Sequence, residues 1–217
     1  MAAGRPRRER RWPPAIALLA LVLLPALVPD HLTLGPRWLL PGIGSIFLLA
    51  LIVVNPVRDS RAVTAARVLA IGLTVLLIVG AAYMTVRLVD DLIHGGPSTA
   101  NGTVLLSSGA LVWVNNNIVF ALLYWELDSG GPATRARGDR PVGGLAFPQQ
   151  ITPQLAPAGW RPVFGDYLYL GLTNSLAFSP TDVMPLALWA KATMALQSLI
   201  SFGVVALVIA NAVGVLT

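Results

Sequence analysis

The stretch "YLYLGLTNSLAFSPTDVMPLALWAK", Tyr167 to Lys191, contains the break on which the interpretation of the fold depends. An apolar run stops at the residues SPTD, 179–182, and a much longer apolar run follows. Ser179 as N-cap, Pro180 at the first helical position and Asp182 in the first turn are typical of a helix N-terminus. The sequence therefore predicts a short helix before the break and the last helix after it. Pro185 either kinks that helix or marks its start one turn later.

The composition is that of an integral membrane protein. Of the 217 residues, 55% are apolar and only 12% are charged, and the mean hydropathy is +0.71. A soluble domain carries about 25% charged residues, so this chain has too few to cover itself with a solvated surface. It contains no cysteine, which excludes disulfides, thiolate metal sites and thiol nucleophiles.

The apolar residues divide into five long segments and one short one. A spanning helix needs about 20 apolar residues, which the third, fourth and fifth long segments supply and the first two reach only with their flanks. We expect the first segment to be retained, because no small-x-small cleavage site follows it. The predicted fold is all-α, a polytopic transmembrane helix bundle with a short pore-helix-like segment before the last helix. The long segments are Ala15–Val28, Trp38–Val54, Val68–Val89, Val104–Leu123 and Leu186–Leu216, and the short one is Phe164–Phe178.

The arginines predict the orientation. They are concentrated in residues 1–11, around residues 58–67 and in the connection after the fourth segment. Since basic loops stay on the cytoplasmic side, we expect a multi-pass protein of the cell membrane with its N-terminus in the cytoplasm. The chain then divides into a four-helix transmembrane region with a basic N-terminus, a Pro/Gly-rich cytoplasmic loop, and a short helix plus C-terminal transmembrane helix: 1–127, 128–163 and 164–217.

Two parts of this arrangement stay open. The loop is either disordered in part or packed through Phe147, Leu155 and Trp160. The run Phe164–Phe178 starts on the cytoplasmic side, and it either re-enters and returns or crosses as a short tilted helix. Irregular backbone at membrane depth is tolerated only where protein or a water cavity covers it.

Polar residues within apolar segments are the candidate functional residues. Asn115, Asn116 and Asn117 point about 100° apart on a helix, so they cannot share one interface. They tie neighbouring helices together or line a hydrated cavity. Gln197 forms a stripe with Thr193 and Ser201 that lines a solute path or packs against these asparagines. The residues around the break form the main candidate cluster: Thr173, Asn174, Ser179, Thr181 and Asp182. We expect Glu126 and Asp128 only to end the fourth helix, with Gly130 and Gly131 as its stop.

The remaining chemistry is sparse. His31 and His94 form a weak candidate metal set with Asp90 and Asp91, because both loops are predicted to face outward and imidazoles and carboxylates bind divalent metals. Otherwise we expect no cofactor. No nucleophile elbow, zinc-protease motif, phosphate loop or dinucleotide fingerprint is present, so the chain is not predicted to be an enzyme. The basic residues flank membrane segments and do not form a face on a folded domain, which argues against nucleic-acid binding.

Most of the chain resembles a broad family of bacterial integral membrane proteins of unknown function. The resemblance rests on "LLYWELDSGGP", "FPQ" and "GDYLYLGLTNSLAFSPTDVMPL". The stretch from Tyr169 to about Ala190 also resembles the pore module of potassium channels, with Asp182 at the filter aspartate and Pro185 at the proline that follows.

The filter of that module falls on residues 177–181, where the chain departs from the pattern. Ser179 and Thr181 stand at the two filter glycines, and Pro180 lies between them. A potassium filter needs glycine conformations that β-carbons disfavour, so the sequence predicts no potassium-type filter.

We therefore expect a channel-like pore for an ion or small solute, with the lipid bilayer and further copies of the same chain as partners. One alternative is a structural or interaction protein without transport activity. Another is a metal-dependent membrane transporter or enzyme that uses the outer histidines.

Overall fold

The computed structural model describes residues 12–36, 38–39, 41–43, 45–46, 60–137, 143–177 and 182–216. The fold is all-α, as predicted, with one small antiparallel pair of strands. The helices are α1 (Trp12–Leu27), α2 (Ser60–His94), α3 (Gly102–Leu127), α4 (Pro132–Arg137), α5 (Pro148–Ile151), α6 (Phe164–Ala177) and α7 (Leu188–Leu216). The strands are β1 (Leu145–Ala146) and β2 (Met184–Pro185).

Three helices are long and apolar enough to cross a membrane: Val68–His94, Gly102–Gly130 and Leu188–Gly214. They coincide with the third, fourth and last predicted segments, and they make the chain a multi-pass membrane protein. The first predicted segment forms α1, whose apolar part Pro13–Pro25 is shorter. Most of the second segment, Trp38–Val54, lies outside the described residues. Within its described part, residues 41–43 and 45–46 are helical.

Local sequence sets both ends of α3. The side chain of Asn101 accepts a hydrogen bond from the Val104 amide at 2.9 Å, which caps the first turn. At the other end Ser129 adopts a φ of 52°, and Gly130 and Gly131 adopt φ values of 77° and 89°. Left-handed backbone cannot continue a right-handed helix. The prediction that the two glycines stop this helix is therefore confirmed.

The helices define two ends of the bundle, which we name after Asp128 and His31. At the Asp128 end, Ala17 of α1 packs in a cluster with Leu122 and Phe164. At the His31 end, Val28 packs in a cluster with Leu92 and Leu105. Helix α1 therefore runs from the Asp128 end to the His31 end. Its start and the connection after α3 lie at the same end of the bundle.

Helix α6 enters from the Asp128 end and ends inside the bundle. The Phe164 ring packs edge-on against Trp125, with 6.0 Å between ring centroids. Near the other end of α6, Ser175 Oγ donates to Asn117 Oδ1 at 2.9 Å, close to the middle of α3. A helix of 14 residues is about 21 Å long, which is less than the thickness of a bilayer core.

The chain after α6 returns to the end from which α6 came. We call residues 182–187 the return limb. Its strand β2 pairs with β1, with Ala146 opposite Met184 and Leu145 opposite Pro185. Tyr169, near the start of α6, donates through its hydroxyl to Asp182 Oδ2 at 3.4 Å. Residues 164–177 thus lead from the Asp128 end into the bundle, and residues 182–187 lie back at that end. We call α6 and the return limb together the re-entrant hairpin of the bundle.

The predicted start of the last helix at Pro180 is wrong. Ser179, Pro180 and Thr181 lie outside the described residues, but Met184 and Pro185 form a strand and the helix begins at Leu188. The physical reason is a competing set of backbone hydrogen bonds. The amides of Leu186 and Ala187 donate to the Gly144 carbonyl at 2.8 and 3.2 Å, which holds this stretch against the loop. The alternative that Pro185 precedes the real start is the better one.

A close crossing joins α3 to α7. A β-carbon at Gly109 would lie 2.7 Å from Val208 Cγ2, whereas a β-carbon at Gly203 would meet nothing within 4 Å. We predict that Gly109→Val lowers the free energy of unfolding by about 1–3 kcal/mol, because it forces the two helices apart. Thermal unfolding in detergent measures this, with Gly203→Val as the matched control. Equal melting temperatures for the two variants would contradict the close crossing.

Candidate functional site

The centre of the bundle contains a network of uncharged polar side chains around Gln197. This residue is fully buried. Its Oε1 accepts from the Tyr124 hydroxyl at 2.7 Å and from Asn174 Nδ2 at 2.9 Å, and its Nε2 donates to the Gly171 carbonyl at 2.9 Å. One amide therefore joins α3, α6 and α7. Each of these polar groups has a partner, as burial requires.

The last turns of α6 are fastened on two sides. Asn174 Nδ2 also donates to the Met194 carbonyl of α7 at 2.9 Å, and the Asn174 carbonyl accepts from Ser198 Oγ at 3.0 Å. On the α3 side, Ser175 donates to Asn117. Gly171 lets the backbones approach, since a β-carbon there would lie 3.2 Å from the Asn117 carbonyl oxygen. The re-entrant helix is thus held by side chains of both long helices beside it.

The three consecutive asparagines of α3 serve different neighbours. Asn116 Nδ2 donates to Ser201 Oγ of α7 at 3.0 Å. Asn117 Nδ2 donates to the Trp113 carbonyl of its own helix at 2.9 Å, while its oxygen faces Ser175. Asn115 is buried as well and takes part in none of the network's hydrogen bonds among the described residues. Asn116 and Asn117 tie helices together here.

The candidate cluster at the break divides into separate parts. Asn174 belongs to the network. The Thr173 hydroxyl donates to the Tyr169 and Leu170 carbonyls of its own helix at 3.0 and 3.1 Å. Asp182 is exposed and lies in the return limb. Ser179 and Thr181 lie outside the described residues.

A second polar cluster lies at the Asp128 end, and the sequence reasoning missed it. Asp128 is fully buried. Its Oδ2 accepts from the Tyr167 hydroxyl at 2.8 Å and from Ser129 Oγ at 3.1 Å, and its Oδ1 accepts from the Leu145 amide at 3.2 Å. Asp128 therefore connects the end of α3 to α6 and to the loop. One feature of the sequence could have indicated this role: Asp128 stands between an apolar helix and two glycines. An acid at that position is typical of a helix end, but it is equally suited to accept hydrogen bonds in a buried place.

Arg135 completes this cluster at the carbonyl end of α3. Its Nη1 donates to the Trp125 and Asp128 carbonyls, both at 2.7 Å. Its guanidinium carbon lies 5.0 Å from the centre of the Tyr167 ring and 5.8 Å from that of Trp125. A cation at this position balances the negative end of the helix dipole, and the two ring faces attract it.

The loop is packed in the part that the structure describes. The Phe147 ring lies 5.2 Å from Tyr167 and 6.0 Å from Trp160, measured between centroids. Of the two alternatives for the loop, its described part shows packing through Phe147 and Trp160, and the side chain of Leu155 lies outside the described residues. Nothing in the described loop resembles a catalytic arrangement.

The histidines at the other end form two separate pairs. His31 Nε2 lies 2.9 Å from Asp91 Oδ2 and 3.0 Å from Ser98 Oγ, and the Ser98 hydroxyl donates to the same carboxylate oxygen at 2.5 Å. His94 Nδ1 lies 3.0 Å from Asp90 Oδ1. Among the described residues, no group of three or more histidines and acids is placed to hold a metal ion. The contacts of His31 fasten the segment after α1 to the turn between α2 and α3.

Comparisons with models of protein families, with curated proteins and with solved structures give no match for this chain. The fold itself is that of an all-α, multi-pass membrane protein with a short helix and a return limb before its last helix.

We predict that Gln197→Leu lowers the free energy of unfolding by about 2–4 kcal/mol, because the buried Tyr124 hydroxyl loses its acceptor and the Asn174 amide and the Gly171 carbonyl each lose one partner. Asn211→Leu is the matched control on the same helix. The Asn211 amide donates to the Leu207 carbonyl one turn earlier, so its loss costs less than about 1 kcal/mol. Chemical unfolding in detergent measures both, and equal effects would argue against the network.

At the His31 end we predict that Asp91→Asn destabilises the protein more than Asp90→Asn does. Asp91 is buried and bonded to Ser98 and His31, whereas Asp90 is half exposed beside His94 and Arg87. Removing the buried charge costs about 1–3 kcal/mol and removing the surface charge less than about 1 kcal/mol. Melting temperatures of the two variants check this order, and the reverse order would refute the assignment.

Proposed function

We propose that this membrane protein is channel-like and passes a small cation along a path to which its re-entrant hairpin contributes. The single observation that supports this function best is the course of α6, which ends inside the bundle while its chain returns to the Asp128 end. A helix end at membrane depth is stable only where protein or a water-filled cavity covers it. A chain that only needed to fill the bilayer would gain nothing from such an end.

The polarity of α6 favours a cation. Its carboxyl end, at Ala177, is the end that lies inside the bundle. The last carbonyls of a helix have no partner in the next turn, and the helix dipole adds partial negative charge there. Half-helix carboxyl ends serve as cation sites in transporters for this reason. The sequence at residues 177–181 argues against a potassium-type filter, so the proposed path is not of that kind.

A path of this kind is proposed to form between copies of the chain. Helices α6 and α7 both leave large apolar side chains exposed: Leu172, Leu176, Leu196, Leu199 and Phe202. Asp182 of the return limb is also exposed, and it accepts from the hydroxyl of Tyr169, which lies three residues before Leu172 on α6. A homo-oligomer that used this face would bring several hairpins together, with lipid on the remaining faces.

We further propose that the Asp128 end faces the cytoplasm. The start of α1, which follows five arginines in the sequence, and the connection after α3, which contains Arg135 and Arg137, share that end. Such clustering follows the positive-inside rule.

One observation favours a second candidate, a structural or interaction protein without transport activity. The network around Gln197 and Asn174 is closed within a single copy, since its amides and hydroxyls bond to one another. Polar groups used up in this way tie helices together and do not line a path. In the channel proposal, the network is therefore the support of the hairpin.

Proteoliposomes test the proposal. We expect the purified protein to collapse a sodium or potassium gradient faster than empty liposomes, and Asp182→Asn to slow this flux at least about threefold, because it removes a carboxylate that concentrates cations. Asp90→Asn is the matched control, an exposed acid at the His31 end. It should leave the flux unchanged.

A folded parent protein that passes no monovalent cation would end the channel proposal and favour the structural candidate. An Asp182→Asn variant as active as the parent would remove the return limb from the path.

A further inference from the structure

Asp128 is connected to both limbs of the re-entrant hairpin. Its Oδ2 accepts from the Tyr167 hydroxyl on the first limb, which is α6. Asp128 Oδ1 accepts from the Leu145 amide in β1, and β1 is the pairing partner of β2 in the return limb. We call residues 143–147 the strap, because they lie across the return limb and connect it to Asp128.

The strap packs between the end of α3 and the start of α7. Leu145, Ala146 and Phe147 are buried. A β-carbon at Gly144 would lie 2.3 Å from Trp189 Cζ2, at the start of α7, and a β-carbon at Gly143 would collide with the Asp128 carboxylate. The backbone of the strap therefore fills the gap between the end of α3 and the start of α7, and only glycine fits at its first two positions.

The pairing of β1 with β2 cannot fix the return limb by itself. Each strand has two residues, and a two-stranded ribbon needs further packing even at greater length. The amides of Leu186 and Ala187 add two bonds to the Gly144 carbonyl, and the strap itself is packed through Leu145 and Phe147. The polar hold on β1 from outside the strap and the return limb is the bond from the Leu145 amide to Asp128, a charge-assisted hydrogen bond in a buried place. Asp182 lies two residues before β2, so it is tied to the strap through β2 and to α6 through the Tyr169 hydroxyl.

We propose that the strap, fastened by Asp128, sets the position of the return limb, and that Asp128 is a positioning residue through which the loop acts on the hairpin. The effect on cation flux rests on the proposed function. The geometric effect does not, and it is measured separately.

The absence of native cysteine makes a direct measurement straightforward. Ala146 and Met184 face each other in the antiparallel pair, at a Cα separation of about 4.5–5.5 Å for such pairs, which suits a disulfide. We expect the Ala146→Cys, Met184→Cys protein to close its disulfide quickly under a mild oxidant. Adding Asp128→Asn should slow closure about fivefold, since a hydrogen bond to a charged group is exchanged for a neutral one and the Tyr167 hydroxyl loses its acceptor.

Asp166→Asn is the matched control. Asp166 is also an acid at the Asp128 end, on α6, but it accepts from the Val163 amide at 2.7 Å. It should leave the closure rate of the cysteine pair unchanged. Tyr167→Phe is the second test variant, for use if Asp128→Asn folds poorly. It removes one hydroxyl and keeps the bond from Leu145 to Asp128, so it should slow disulfide closure by a smaller factor.

The two proposals fail in different ways. If Asp128→Asn and Tyr167→Phe both close the disulfide at the parental rate, the strap does not depend on Asp128 and the inference is wrong, whatever the flux. If closure slows but the parent passes no cation, the inference stands and the channel proposal falls. If both hold, Asp128→Asn lowers the flux, and oxidation of the cysteine pair in that background restores it.

Discussion

The fold depends on one constraint, which is that a helix ending inside a membrane must have its polar groups satisfied by protein. Helix α6 meets this constraint through Gln197, which accepts from Asn174 and donates to the Gly171 carbonyl. Without such partners each buried amide or carbonyl would cost several kcal/mol in an apolar surrounding. The remaining features of the hairpin serve to place α6 within reach of Gln197.

Helix α3 supplies the fixed surface for this arrangement. It contacts α7 closely at Gly109 and presents Asn116, Asn117 and Tyr124 toward the other two helices. Three consecutive asparagines are unexpected on an apolar helix, because their side chains point in different directions and cannot share one interface. The divergence is useful where two neighbours at different angles need hydrogen bonds. Asn116 reaches α7 and Asn117 reaches α6.

The sequence was sufficient for the three long helices, because hydropathy over about 20 residues reports spanning length directly. It was also sufficient for the end of α3, where Gly130 and Gly131 leave few alternatives. It failed at Pro180, since a local capping pattern cannot reveal that Leu186 and Ala187 will bond to the Gly144 carbonyl, which lies 42 and 43 residues earlier in the chain. The role of Asp128 was hidden for the same reason. Its partners Leu145 and Tyr167 come close only after the loop folds back.

The chemical type of the polar groups differs between the middle of the bundle and its Asp128 end. This difference bears on how firmly each limb of the hairpin is held. In the middle of the bundle the network uses amides and hydroxyls, which both donate and accept, so a few residues close a set of bonds without burying charge at the depth where charge is most costly. At the Asp128 end, the buried polar groups are instead a carboxylate and a guanidinium. The neutral network holds α6 from two sides. In our proposal the return limb, in contrast, depends on the strap and on the Asp128 carboxylate. A change that reaches the loop is then expected to displace the return limb at lower cost than it displaces α6, because long helices hold α6 on both sides.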